Sequence, residues 1–381
     1  MAVIGFVPPE FFAQKTVPSA YRARDDWFRD SLPLQTPAGL VTSSGSRQNP
    51  ATGLFMADSS DYSEATQQTG QPGVSPKPQR GSWEWSRAVL RKILTVYIVV
   101  VIVLAFLQRS LLYHPSRAKD LRVARYQDVT KLFPDASDVR IHCEDGVEIG
   151  GWLLQREQKE SRPLVIHFHG NAGDRTRRIS WYQILRQLDV NVLAVDYHGY
   201  ADSGGTATED TLEIDAQAAW KYATQELGYS PDRIIITGTS LGGAVAVYLT
   251  ARQCEANEAP AGLATLCTFS SMVDTAGYHY PWLPVGAILV DRFPSEDRIS
   301  SVTCPVLMLH GDQDTVVPQR LGEKLFRAAP GRSKSGQEKR WMNLPDAGHN
   351  DVIAIGGREI LNEIAAFRAK VISPLKNEKD R

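Results

Sequence analysis

The sequence predicts an α/β domain over residues 136 to 372, built on a mostly parallel central sheet with helices on both faces. Three observations carry that expectation. Short runs of Val, Ile and Leu alternate with helix-like segments along the whole stretch, as in IIITG at 234–238 followed by LGGAVAVYL at 241–249. The runs are continuously apolar rather than alternating, which suits strands buried on both faces. The residues that end the runs are glycines, histidines, carboxylates and one serine, and in a parallel α/β sheet ligands bind beyond the carboxyl ends of the strands.

Taken in order, the first 86 residues do not read as part of that domain. They are rich in Ser, Thr, Gln, Gly and Pro and hold no sustained helical or strand period. Such a segment buries too little apolar surface to offset its ordering entropy, so it is expected to be disordered. Met56 lies within it and is an alternative start.

Residues 89 to 112 follow as an expected transmembrane helix. Between Lys92 and Arg109 no residue is charged, and Arg91, Lys92 and Arg109 can snorkel to the interfaces. The run of about 24 residues makes a helix of roughly 36 Å, enough to cross a bilayer core. It lies far from the first methionine and lacks a small-x-small cleavage pattern, unlike a signal peptide. Basic residues flank both ends in similar number, so the charge pattern sets no orientation. The expectation is a single-pass membrane protein.

The strand candidates are 138–144, 147–155, 163–169, 191–197, 233–238, 262–269, 305–311 and 340–345. The first two are close enough for an antiparallel hairpin turning at Glu144-Asp145-Gly146. Helices are expected at 209–227, with Leu212, Ala216, Ala219 and Ala223 on one stripe and Gly228 as its stop, and at 357–371, with Ile360, Ile364 and Phe367 on one face. Residues 270 to 302 form an inserted cap between the sixth and seventh strands.

Composition narrows the function classes. Hydrophobic content of 43% and charged content of 22% are ordinary for a globular chain, and the net charge of −1 gives no pull toward nucleic acid. Four scattered cysteines, Cys143, Cys254, Cys267 and Cys304, form no CxxC pair and argue against a disulfide scaffold or a zinc ribbon. No obligate protein partner is evident.

The strand ends supply the chemistry. Gly238-Thr239-Ser240-Leu241-Gly242 matches Gly-x-Ser-x-Gly, a pattern that chance alone gives in roughly one chain in ten of this length. Here it stands between a β-branched strand and a small-residue helix, the context in which a serine is held on a strained turn. That turn sets Ser240 at a helix N-terminus, where N–H groups favour a developing anion. A hydroxyl nucleophile needs a base and the base needs an orienting acid. His349, in the loop after the last strand, is the expected base. His142 and His167 lie inside strands and read as core or supporting residues, and His310 as a structural hydrogen-bonding group. His169, His198 and His279 compete less well. Asp314, in His310-Gly311-Asp312-Gln313-Asp314, is the expected acid, with Asp312 its competitor. His167-x-His169 also admits a zinc site, but no further ligand cluster with metal spacing accompanies it. No metal or cofactor is expected.

The chain order Ser240, Asp314, His349 resembles that of α/β-hydrolases. HFHGNAG at 167–173, VDYHGYADSGG at 195–205, GTSLGGAVA at 238–246, HGDQDTVVP at 310–318 and AGHND at 347–351 resemble a membrane-anchored branch of that superfamily, the lysophospholipid and monoacylglycerol lipases. The anchor in that branch likewise precedes a stretch similar to Leu112-Tyr113-His114-Pro115. The resemblance implies the α/β-hydrolase fold with a short cap, preceded by a single transmembrane helix. It also implies an oxyanion hole from the backbone N–H groups of Leu241 and Asn171. This chain departs from its relatives in carrying His198 and Ala201 where an arginine and a glycine are usual.

The resulting expectation is a membrane-anchored serine hydrolase cleaving carboxylic esters through an acyl-enzyme. Tyr278, Tyr280, Trp282, Leu283, Pro284 and Ile288 are expected to wall a cleft above Ser240 or to pack the cap on the core. With the anchor they suggest lipid acyl esters. A thioesterase or peptidase would use the same triad, and a catalytically dead, membrane-tethered scaffold on the same fold is the reading from another class.

Overall fold

The computed structural model describes residues 80–155 and 162–372. Most of the segment expected to be disordered lies outside them. From Arg80 onward that segment is helical, so the boundary expected at residue 86 is too late. The helix α1 (Arg80–Leu112) begins before the basic residues Arg87, Arg91 and Lys92 and ends at the expected position. Its stretch Trp83–Leu112 is the one described helix long and apolar enough to cross a membrane, and its most apolar 18 residues have a mean hydropathy of 2.5. Most of its apolar side chains are exposed, Phe106 at 85%, while Val100, Val101, Leu104, Ala105 and Leu112 are half-buried. An apolar helix this largely exposed is suited to lipid.

Contacts divide the described residues into two units between Val96 and Tyr97, within α1. The unit from Tyr97 onward opens on β1 (His114–Pro115) and α2 (Gln127–Leu132). The hairpin β2 (Ser137–His142) and β3 (Glu148–Leu154) follows, and Gly146, at φ +85°, makes its turn. Next come β4 (Leu164–Phe168), β5 (Ala172–Gly173), α3 (Ile179–Gln187) and β6 (Asn191–Val195). The chain continues through α4 (Glu209–Lys221), β7 (Ile234–Thr239), α5 (Leu241–Glu255) and β8 (Gly262–Leu266). Three short helices, α6 (Met272–His279), α7 (Val285–Ile288) and α8 (Ser295–Ile299), make the cap. The fold closes with β9 (Val306–Gly311), α9 (Gln319–Ala328), β10 (Arg340–Leu344) and α10 (Val352–Val371).

All eight sequence-read strands lie in one sheet, in the order β2-β3-β6-β4-β7-β8-β9-β10. β3 pairs antiparallel with both β2 and β6, and every pair from β6 to β10 is parallel. The central strands β4, β6 and β8 are buried throughout. Successive residues serve opposite faces. Ile234 and Ile236 join the cluster with Leu212 of α4 and Val245 of α5. Ile235 joins the cluster with Trp181 of α3 and Ile360 of α10. Two apolar layers thus sandwich the sheet, as continuous Val/Ile/Leu strands require.

The helix read at 209–227 starts at its Thr208 cap, where the hydroxyl accepts from Thr211 N. Its last turn widens to a π-helix over Tyr222–Glu226, and Gly228, at φ +73°, ends it. α10 begins at Val352, a turn earlier than its periodicity suggests. The four cysteines are free and buried.

Candidate active site

The turn between β7 and α5 explains its own sequence. Ser240 sits at φ 55°, ψ −120°, a conformation an L-residue adopts only when its surroundings impose it. Two hydrogen bonds impose it here. Ser240 N donates to Leu266 O at 2.9 Å, and Thr268 Oγ1 donates to Ser240 O at 2.8 Å. The flanking glycines are required by close backbone approach. A Cβ on Gly238 would lie 2.0 Å from Gly242 O, and one on Gly242 would lie 2.1 Å from Phe168 O. Any side chain at either position would push α5 off the sheet.

Three residues far apart in sequence converge on this turn. His349 Nε2 lies 3.1 Å from Ser240 Oγ, and His349 Nδ1 lies 2.7 Å from Asp314 Oδ2. The other carboxylate oxygen of Asp314 accepts from Val316 N at 3.0 Å and Val317 N at 2.7 Å. Burial alone would raise the Asp314 pKa, but the facing charges and hydrogen bonds of His349 and His310 hold it well below the usual carboxylate range. A carboxylate facing Nδ1 favours the tautomer with its proton there, which leaves Nε2 as an acceptor toward Ser240 Oγ.

The competitors have other partners. Asp312 Oδ1 accepts from Asp346 N at 2.9 Å and so shapes the loop leading to His349. His310 Nε2 donates to Val317 O at 2.8 Å and lies 3.4 Å from Asp314 Oδ2, which braces the acid from behind. His142, read from its strand as core or supporting, is exposed beside Glu148, because it falls on the outer face of an edge strand. His167 and His169 do not converge on a common point. His167 Nδ1 meets Thr237 Oγ1 at 3.0 Å, while His169 Nδ1 meets Gly170 O at 2.7 Å and its Nε2 lies 3.1 Å from Asp196.

Asn171 stands in the loop after β4, beside the serine. A Cβ on neighbouring Gly170 would lie 3.6 Å from Ser240 Cβ. Leu241 is the first residue of α5, and a first-turn N–H has no carbonyl of its own helix to serve. Both N–H groups therefore belong to backbone adjoining the hydroxyl.

Sequence reasoning missed what holds the Asn171 loop. Asp196 accepts from Arg175 N at 2.7 Å and also takes the Arg175 guanidinium, which reaches Asp202 at 2.8 Å. Tyr200 OH donates to Asn171 O at 2.6 Å. His198 lies 2.5 Å from Asp215 and 3.0 Å from Asp145, and so ties its loop to α4 and to the β2–β3 turn. Asp196 and His198 stand at a strand end, which is the signal that marks them.

In the cap, Tyr278 and Trp282 remain exposed, and Tyr280 and Leu283 are half-buried. Arg320 lies over the Tyr278 ring, 4.7 Å from its centroid. His279 Nε2 donates to Val316 O at 2.8 Å, which joins the cap to the loop of Asp314. Lys324 bridges Asp274 and Glu296 at 2.8 and 2.7 Å.

Comparison with known proteins agrees with this architecture. Residues 178–373 match the prolyl oligopeptidase family. An uncharacterised protein of Mycobacterium tuberculosis is 36% identical over 260 residues, spanning 68% of this chain and 86% of that one. The lysophosphatidylserine lipase ABHD12 of Danio rerio is 27% identical over 317 residues, spanning 71% of this chain and 81% of the relative. Among solved structures, the Pyrococcus furiosus esterase Pf2001 superposes with a TM-score of 0.54 at 20% identity, over 69% of this chain and 99% of the esterase. At that identity the structural likeness speaks for the fold.

Proposed function

The chain belongs to the prolyl oligopeptidase family of α/β-hydrolases and is an ester-cleaving serine hydrolase, and we propose that it acts on lipid acyl esters from a membrane anchor formed by α1. The observation that carries the catalytic reading is the chain of hydrogen bonds from Ser240 through His349 to Asp314.

In this reading His349 Nε2 takes the Ser240 proton as Oγ attacks the ester carbonyl. Asp314 steadies the imidazolium without taking its proton. The N–H groups of Leu241 and Asn171 receive the oxyanion. His349 then gives its proton to the departing alkoxide. Water repeats the sequence on the acyl-enzyme and frees the carboxylic acid. Ser240, Asp314 and His349 are thus proposed as catalytic residues.

The lipid reading draws on three things together. They are the apolar helix Trp83–Leu112, the exposed apolar cap and the likeness to a lysophosphatidylserine lipase. The family's name favours a second substrate, the peptide bond, which the same groups could cleave.

Fluorophosphonate labelling of the membrane fraction, wild type beside Ser240→Ala, tests the nucleophile. Labelling confined to the wild type is expected. A folded wild type that takes no label would sink the hydrolase reading in favour of a tethered scaffold. A panel of lysophospholipids, monoacylglycerols and short peptides then separates the two substrate classes.

A further inference from the structure

The middle of the cap, residues 281–290, reads Pro-Trp-Leu-Pro-Val-Gly-Ala-Ile-Leu-Val, with no charge and no buried residue. Beyond α1, the exposed large apolar side chains among the described residues are Tyr278, Trp282, Val290 and Ile355, at 42%, 50%, 60% and 46%. Three of these four lie in or beside this one segment. Concentrated exposed apolar surface marks an interaction site.

The partner is indicated by what the segment is bonded to. Tyr97 OH donates to Trp282 O at 2.9 Å. The Gln108 side chain donates to Ile288 O at 3.1 Å and accepts from Val290 N at 2.7 Å. Arg109 and Tyr113 both donate to Asp291, at 3.0 and 3.1 Å. These four donors come from α1 or the residue after it, and Arg292, just beyond the segment, donates to Gly286 O at 2.9 Å. At 1.5 Å per residue Tyr97 stands about 16 Å along the helix from Gln108, more than half of a hydrocarbon core of about 30 Å. No charged residue lies between Lys92 and Arg109. The cap therefore runs beside the part of α1 that is fit to lie in lipid.

Most of its backbone N–H groups are prepared for the same place. Lipid offers polar groups no partner, so a chain at membrane depth must satisfy them itself. Pro281 and Pro284 have no N–H. Leu283, Val285, Ala287, Ile288 and Leu289 donate within the cap and Val290 donates to Gln108, so that only the N–H groups of Trp282 and Gly286 make no such bond among the described residues. The carbonyls of Trp282 and Ile288 are taken by Tyr97 and Gln108.

We infer that residues 281–290 insert into the bilayer alongside α1, with the acyl region of the lipid as their partner. An acyl substrate would then approach the cap from within the membrane rather than through water. The inference rests on the proposal that α1 spans the bilayer, and its test separates the two.

Full-length protein carrying one nitrobenzoxadiazole-labelled cysteine is reconstituted in phosphatidylcholine vesicles containing doxyl-labelled lipid. The labelled positions are Trp282→Cys, Val290→Cys, Leu94→Cys within α1, and Gln187→Cys on the exposed end of α3. Fluorophosphonate labelling of each variant reports an intact catalytic domain. Quenching at residues 94 and 282 or 290 but not at 187 is the expected result. Quenching at 94 alone overturns the inference and leaves the anchor standing, with the cap clear of the lipid around α1. Quenching at none of the four overturns the anchor and this inference together.

Discussion

The side-chain amide of Asn171 donates to the carbonyl of Leu112, the last residue of α1, at 2.9 Å. The next residues reinforce the link. His114 N donates to Asn171 O at 3.1 Å, and β1 pairs in parallel with β5 through His114–Ala172 and Pro115–Gly173. The helix therefore ends on the loop that presents the proposed oxyanion donor. The stretch Leu112-Tyr113-His114-Pro115 has a structural task there, to hold that loop against the serine turn.

Replacing Asn171 by alanine keeps the backbone N–H but cuts its tether to Leu112. If the loop positions that donor, kcat falls by about 10- to 100-fold, short of the 10²–10³ cost of deleting such a donor outright. KM changes little, because the loss falls on the transition state. Steady-state kinetics on a short-chain ester check this, and an unchanged kcat would leave the tether with a role in stability alone.

Ser240 is held at positive φ by its neighbours, and that strain costs of order 1–3 kcal/mol. Ser240→Gly releases it at an entropic cost of about 0.5–1 kcal/mol. Ser240→Ala keeps the β-carbon and the strain. The glycine variant is therefore expected to be more stable than the alanine variant by about 1 kcal/mol, with neither hydrolysing ester above background. Paired urea melts decide it, and equal midpoints would mean that the turn holds no strain at this residue.

Much of this was legible in the sequence, and the reason is physical. The inner strands β4, β6, β7, β8 and β9 are continuous apolar runs because a parallel sheet buries both faces, and the similar run in α1 is set apart by its length. That Ser240, Asp314 and His349 come together could be anticipated because each follows a strand of the one sheet. Side-chain geometry across sequence distance could not be read. The guanidinium of Arg175 between Asp196 and Asp202 depends on a rotamer and a loop path, and Arg175 sits among Arg177 and Arg178 with nothing in the sequence to single it out. His142 shows the converse limit, since alternation along a strand does not say which strand is at the edge. The cap's bonds to α1 were hidden for the same reason, as Tyr97 and Trp282 lie 185 residues apart.

The two aspartates after β9 should separate cleanly. Asp314→Asn, which loses the acceptor for His349 Nδ1, is expected to lower kcat by about 10⁴, as removal of the orienting acid does in other triads. Asp312 receives Asp346 N and touches neither His349 nor Ser240 by any bond found among the described residues. Asp312→Asn keeps that acceptor oxygen and should cost no more than a few-fold, on the order expected of a neutralised half-exposed carboxylate. The opposite ranking in kcat would move the acid to Asp312.

Asp314 also ties stability to pH, and the sign follows from its environment. Its pKa is depressed in the folded state, despite burial, by His349 and His310. A depressed carboxylate stabilises the fold above its unfolded pKa of about 3.9, and that contribution fades as pH falls toward the folded value. Asp314→Asn has no such titration. The stability gap between wild type and Asp314→Asn is therefore widest near neutrality and closes progressively below about pH 4. Urea midpoints for both proteins at pH 7, 4 and 3 measure it. Parallel curves would mean that the carboxylate titrates alike in the folded and unfolded chains, and the ionised acid invoked behind His349 would lose its support.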